Sequence, residues 1–429
     1  MDVKEFLNNR VVKNAGWLVA GKVIQAVIQL TVGIWTARYL GPADFGLINY
    51  AAAYTGFFMW LCGLGINSVL VKELIDNPDG HGTVLGTSLG LKALSSLASA
   101  VFILCISAVL DHENPTAFWV VALSGIGVVF SIFDTFNYFF QARFESKVTA
   151  IVSLAGFSLS SAYKVALILT SRNVLFFAFA ASLDYIFVGL LLFHEYRRHG
   201  GRPLSFSWAY GKILLGKSCH FILPALMVAI YGQTDKFMLK QLISETEIGY
   251  YSAALRICTM WCFVLGAIID AMYPSIVEAF RDNETEFEQR CRLLYAVIEY
   301  VSFGMAVLIT FFAPAIIALF YGPAYAAAAV PLQVLTWYTA FSYLGVARNS
   351  WVVCRNVQKY LVWIYVLGAA SNVVLNILVI PRFGATGAAA ATLITQFVTA
   401  IGVPLFIPAL KRNAVLMLEA FCLKGLRRD

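Results

Sequence analysis

Charge is scarce in this chain. Of its 429 residues only 13% are Asp, Glu, Lys or Arg, about half the share of an ordinary soluble domain, while 60% are hydrophobic and the mean hydropathy is +0.76. That balance excludes a soluble globular enzyme or a nucleic-acid-binding domain, whatever the formal net charge of +7 would suggest by itself. Cysteine is thinly spread: the eight are scattered, and Cys258 with Cys262 at i,i+4 is one helix face, so neither a disulfide framework nor a metal motif emerges. The polar start MDVKEFLNNRVVKNAG runs into a hydrophobic stretch of full length, so no cleavable signal is expected.

What the chain has in abundance is long apolar runs. A helical span needs roughly 20 mostly apolar residues, and about twelve stretches qualify: 14–38, 45–70, 84–110, 116–141, 148–170, 174–196, 214–236, 249–274, 293–320, 326–353, 359–380 and 385–410. The expected fold class is therefore an all-α polytopic membrane protein. With the amino terminus taken as cytoplasmic, 21 of the 31 lysines and arginines fall on that side and 5 on the other, which predicts that both termini lie inside. The other side's connections are short, as in DHENP (111–115), SRN (171–173), YGP (321–323) and PRFGA (381–385), leaving no room there for a catalytic domain.

The longest polar connection, 194–217, separates six spans from six and suggests an amino-terminal lobe over 1–200 and a carboxy-terminal lobe over 201–429. Each half begins and ends on the same side, so a duplication would be a parallel repeat about a pseudo-twofold along the membrane normal. Two echoes support one. LGPADFGLINYAAA (40–53) and LISETEIGYYSAA (242–254) superpose Gly46 on Gly249, and KELIDN (72–77) is echoed by EAFRDN (278–283). Prolines within spans crowd the second half; Pro224 is either tolerated irregularity or a bending point.

Nine charged side chains interrupt the spans: Lys22, Lys92, Asp134, Lys164, Asp184, Arg256, Asp270, Glu299 and Arg348. Each costs roughly 2.5–3.5 kcal/mol near mid-membrane, so nine facing lipid would cost about 20–30 kcal/mol, more than the net stability of a typical fold. They must line a wet or paired interior. Helical spacing gathers polar neighbours beside several of them: Gln25 and Gln29 follow Lys22, Ser95, Ser96 and Ser99 follow Lys92, Asn137, Tyr138 and Gln141 follow Asp134, and Asn372 with Asn376 forms an i,i+4 pair. Serines and amides at such spacing can equally be hydrogen-bonded glue between helices. Asp270, Glu299 and Arg348 lie nearer the cytoplasmic ends and could reach headgroups. His220, a lone histidine near a helix end, reads as structural.

Five interior cations against four acids favour an anionic guest, because partly desolvated ammonium and guanidinium groups suit phosphate oxygens. Lys22, Lys92, Lys164, Arg256 and Arg348 are the candidate cavity cations. Asp134, Asp184, Asp270 and Glu299 are the candidate counter-ions or coupling acids, and Gln25, Gln29, Asn372 and Asn376 the candidate polar lining. No catalytic residue, metal site or cofactor is expected beyond a coupling H+ or Na+ gradient. Nor is nucleic acid an expected partner.

Three stretches carry a family resemblance: ARYLGPADFGLINYAAAY (37–54), GQTDKFMLKQLISETEIGYYSAALRI (232–257) and IPRFGATGAAAATLITQ (380–396). In order and spacing they resemble the oligosaccharide flippases, the polysaccharide-export branch of the multidrug/oligosaccharidyl-lipid/polysaccharide flippase superfamily. The resemblance implies a V-shaped pair of six-helix lobes around a central cavity working by alternating access in the bacterial inner membrane. It implies a polyprenyl-diphosphate-linked repeat unit as cargo, for O-antigen or related polysaccharide assembly alongside a polysaccharide polymerase. Two alternatives stay open: a multidrug exporter of the same superfamily, which calls for an acid-dominated cavity, and a membrane polymerase or ligase of lipid-linked glycans, which calls for larger outer loops.

Overall fold

The computed structural model describes the backbone of residues 10–422 and the side chains of residues 21–422, except 223–225, 228 and 231. Pro224 thus lies outside the described side chains. Every regular element among the described residues is helical. In chain order these are α1 (Arg10–Cys62), α2 (Asn67–Asp76), α3 (His81–Leu110), α4 (Pro115–Phe130), a 3-10 turn (Ser131–Asp134), α5 (Thr135–Ala142), α6 (Ser146–Leu169), α7 (Val174–Arg198) and α8 (Trp208–Leu242). They continue with α9 (Glu245–Thr259), α10 (Phe263–Asp282), α11 (Glu284–Phe320), α12 (Ala329–Cys354), α13 (Leu361–Phe397), a π-helical turn (Val398–Gly402) and α14 (Pro408–Phe421).

Eight stretches among the described residues are long and apolar enough to cross a bilayer. Two of them, Gly21–Asp76 and Gln358–Phe406, contain a break at Gly41 (φ 75°) or Gly384 (φ 55°) and supply two passes each. With α8 and α12, of 35 and 26 residues, the crossings come to twelve. Both breaks depend on glycine, since positive φ is strained for other residues, and Pro42 directly after Gly41 removes a further backbone donor.

By contact the chain forms two units: Met1–Leu40 with Leu47–Ala229, and Gly41–Gly46 with Ile230–Asp429. In the first unit, α2, α3, α5 and α7 meet over an aromatic and aliphatic core that includes Leu70, Leu85, Phe136, Phe140 and Tyr196. The polar connection after α7 packs here too. It lies along α3 where Gly82, Gly86 and Gly90 recur every fourth residue; a Cβ on Gly86 would stand 2.4 Å from the carbonyl oxygen of Ser205. Tyr210 and Lys217 on α8 then donate to the buried carboxylate of Glu73 at 2.7 and 2.6 Å, so the start of α8 belongs to this unit.

In the second unit α11 packs against α12, and α12 against α13. Ion pairs tie its polar end together, where Arg412 bridges Glu288 and Glu419, and Glu419 also meets Arg292 at 2.8 Å.

Candidate substrate cavity

A cavity of about 380 Å³ opens inside the first unit, and its shape follows from a defect in α4. The hydroxyl of Ser182, on α7, accepts from the backbone N–H of Gly127 at 2.8 Å and donates to the carbonyl of Leu123, 2.6 Å away. A side chain inserted into the helical ladder bends a helix. Four residues later α4 gives way to the 3-10 turn that carries Asp134. Small residues bring α6 and α7 close alongside: a Cβ on Gly156 would lie 2.5 Å from Val188, and one on Gly189 2.9 Å from Phe133.

Lys92, Asp134 and Asp184 all line this cavity, with Asn67, Asn137 and Tyr185 beside them. Lys92 is only 3% exposed, and two of its three N–H bonds are committed, to Asn67 Oδ1 at 2.5 Å and Thr135 Oγ1 at 2.9 Å; its ammonium also lies 5.7 Å from the ring centre of Tyr138. Asp134 is exposed and takes a hydrogen bond from the Asn137 amide. Asp184 Oδ2 is paired with Lys164 at 3.0 Å. Lys164 is therefore neutralised by an adjacent carboxylate instead of standing free in the cavity.

A second cavity of about 290 Å³ shares Gln25, Asn137 and Ser153 with the first. Among the described residues its remaining polar lining is Lys22, Gln141, Ser146 and Thr149, with no carboxylate. Lys22 is exposed and has no ion-pair partner among the described residues. Gln29, two turns beyond Lys22, is exposed and lines neither cavity. The two cavities form one polar track, with balanced charge at the Lys92 end and, among the described residues, a single cation at the Lys22 end.

The other candidate residues lie in the second unit and line neither cavity. Arg348 is 2% exposed and donates from Nη1 to the carbonyl of Thr399 at 2.8 Å, a group within the π-helical turn. Arg256 is half-buried, Asp270 is exposed, and Glu299 is 3% exposed with no partner for Oε2 among the described residues.

Asn372 and Asn376 are buried and turn their amides onto Asp235 Oδ1 at 3.1 and 2.7 Å. On the other oxygen, the hydroxyls of Tyr251 and Thr392 lie at 2.6 and 2.7 Å. The break at Gly384 makes this convergence: it folds α13 so that Asn372 and Asn376 before it and Thr392 after it address one carboxylate.

Sequence pattern does not single out Asp235, because the seventh apolar run, 214–236, places it at the very edge of a span. The helix in fact runs to Leu242 and carries Asp235 inside. The sequence signal was present in GQTDKFMLK, an acid following an apolar run with no basic residue one turn before it.

A sequence profile for the family described as "Polysaccharide biosynthesis protein" matches residues 11–280, more than half of the chain. The chain belongs to this family. It is 20% identical to the capsular polysaccharide biosynthesis protein CapF of Staphylococcus aureus over 412 residues, 91% of this chain and 97% of that one. The succinoglycan biosynthesis transport protein ExoT of Rhizobium meliloti is 22% identical over 282 residues, 64% of this chain and 55% of ExoT.

Among solved structures, an inward-facing multidrug resistance MATE family transporter of the MOP superfamily superposes with a TM-score of 0.69 at 16% identity, covering 91% of this chain and 95% of that one. The lipid II flippase MurJ in an inward closed conformation gives 0.66 at 14%, covering 96% and 93%. At such identities the likeness establishes the fold. This member of the polysaccharide biosynthesis family is thus a multi-pass membrane protein with the fold shared by those two transporters.

Proposed function

We propose that this transporter flips a polyprenyl-diphosphate-linked oligosaccharide repeat unit across the bacterial inner membrane, with both termini cytoplasmic, for O-antigen or a related surface polysaccharide. One observation carries the reading: among the described residues, Lys22 lines a cavity built from amides and hydroxyls without a carboxylate. A phosphate oxygen there meets a full positive charge and neutral donors, and the ammonium loses little hydration to reach it. The polyprenyl tail stays in lipid while the sugar headgroup crosses through hydrated space. A polymerase of the lipid-linked unit is the partner that such a product calls for.

An organic-cation exporter would need a surplus of acid in the cavity. Lys92 lines the cavity beside Asp134, and Lys164 is paired with Asp184, which leaves no such surplus.

Coupling to a H+ or Na+ gradient needs a buried carboxylate. Asp235 stands beside Asp184 as a candidate: its hydrogen bonds come from neutral amides and hydroxyls, and a nearby cation is the half-buried Lys236 that follows it in the chain. The test of the reading is Lys22→Ala in a strain lacking the native protein. Surface polysaccharide should be lost while the variant stays inserted and abundant; normal polymer would remove the role of the cation.

A further inference from the structure

The two ends of the polar track differ in what they can bind. At the larger cavity the charges cancel, because Asp184 faces Lys164 at 3.0 Å and Asp134 shares its lining with Lys92. An anion gains nothing there. What the cavity offers instead is hydrogen-bond acceptors: Asn137 occupies Asp134 Oδ1 and Lys164 occupies Asp184 Oδ2, and among the described residues no group hydrogen bonds to the second oxygen of either. Two carboxylates, each with a vacant oxygen, on the wall of one cavity suit vicinal hydroxyls, which are donors a carboxylate binds more strongly than a neutral acceptor does. The exposed ring of Tyr185 supplies an aromatic face for the C–H side of a pyranose. Asn137 and Gln25 belong to both cavities, so a group held at one end is covalently close to a group held at the other.

We propose that the larger cavity is a carbohydrate subsite for the first, uncharged sugar of the headgroup, with Asp134 and Asp184 accepting its hydroxyls, while the diphosphate occupies the Lys22 end. The assignment rests on the flippase reading and adds a specificity to it. A uronic acid at that position meets two carboxylates and is excluded; a hexose with free hydroxyls is accepted. Lys92 is a positioning residue in this arrangement, held by Asn67 and Thr135.

The test uses the purified full-length chain in detergent and three probes: farnesyl diphosphate, its glucosyl conjugate and its glucuronosyl conjugate. The glucosyl conjugate should bind about tenfold more tightly than farnesyl diphosphate, as expected for one added charge-assisted hydrogen bond, and the glucuronosyl conjugate no more tightly. Asp134→Ala should lower the glucosyl affinity by about tenfold, well beyond its effect on farnesyl diphosphate. The double variant Lys164→Met/Asp184→Asn, which removes a charge pair together, should do the same if Asp134→Ala does not fold. Equal binding of farnesyl diphosphate and the glucosyl conjugate by the unaltered protein overturns the subsite, whatever the variants do. So does a preference for the glucuronosyl conjugate. Lys22→Ala forms a separate arm: unchanged farnesyl diphosphate affinity there would count against the flippase reading itself.

Discussion

Gly46 and Gly249 make reciprocal contacts. A Cβ on Gly46 would stand 1.9 Å from the carbonyl oxygen of Glu245, four residues before Gly249, and a Cβ on Gly249 would stand 2.1 Å from the carbonyl oxygen of Pro42, four residues before Gly46. Such an exchange, in which each residue meets the counterpart of its own neighbour, is what a twofold relation between equivalent segments produces. These are the two glycines that the sequence echoes superpose, and both lie in the second unit.

Gly46→Ala and Gly249→Ala should each destabilise the protein, by about 1–3 kcal/mol, because backbone and not a flexible side chain stands where the methyl would go. Thermal unfolding in detergent measures this. Gly304→Ala is the control: nothing lies within 4 Å of its Cβ position, and alanine favours the helix, so its midpoint should hold or rise slightly.

The Lys164–Asp184 pair should behave as a unit. Lys164→Met or Asp184→Asn alone strands one partner in a partly buried site and should cost about 3 kcal/mol, whereas the double variant should cost clearly less than the sum. A double-mutant cycle on unfolding free energy reads the coupling, and strict additivity would show that the two side chains do not depend on each other.

Asp235→Asn should disrupt the second unit more than its near-identical shape suggests. The amides of Asn372 and Asn376 then face an amide in place of a carboxylate, with at least one donor left unmatched, at a cost of about 1–3 kcal/mol. Gradient-driven transport should fall with it, while Tyr251→Phe, which removes one of several donors, should cost only about 1 kcal/mol. The comparison is made on transport rates at matched protein abundance with and without an imposed H+ or Na+ gradient.

Glu247 accepts from the backbone N–H of Ala385 at 2.6 Å, directly after Gly384. Glu247→Ala removes the acceptor at the start of that helical limb and should cost about 1 kcal/mol. Gly384→Ala should cost more, since it adds the strain of φ 55° to a clash in which its Cβ would lie 2.4 Å from a Glu247 carboxylate oxygen. Unfolding midpoints in that order bear the account out; a harmless Gly384→Ala would contradict it.

Much of the fold was written in local pattern. Apolar run length located the spans, and LGPADFG and PRFGA marked the two places where a long helix breaks, although each break takes a single glycine in otherwise continuous helix instead of an open loop. Partnerships were harder to read. Lys22, Lys92 and Lys164 look alike in sequence, yet the first has no ion-pair partner among the described residues, the second is held by Asn67 and Thr135, and the third is paired with Asp184. Those differences are set by the packing of α1, α3, α6 and α7, which periodicity within a single helix does not encode. Asn372 and Asn376 were legible as one polar face, but their target, Asp235, lies on a helix well over a hundred residues earlier.

The most direct test of the central claim is translocation of a fluorescent polyprenyl-diphosphate-linked oligosaccharide in proteoliposomes, comparing the unaltered protein with Lys22→Ala at equal reconstitution. The account predicts flipping by the former and a rate near that of empty vesicles for the latter. Equal rates for the two proteins would contradict it.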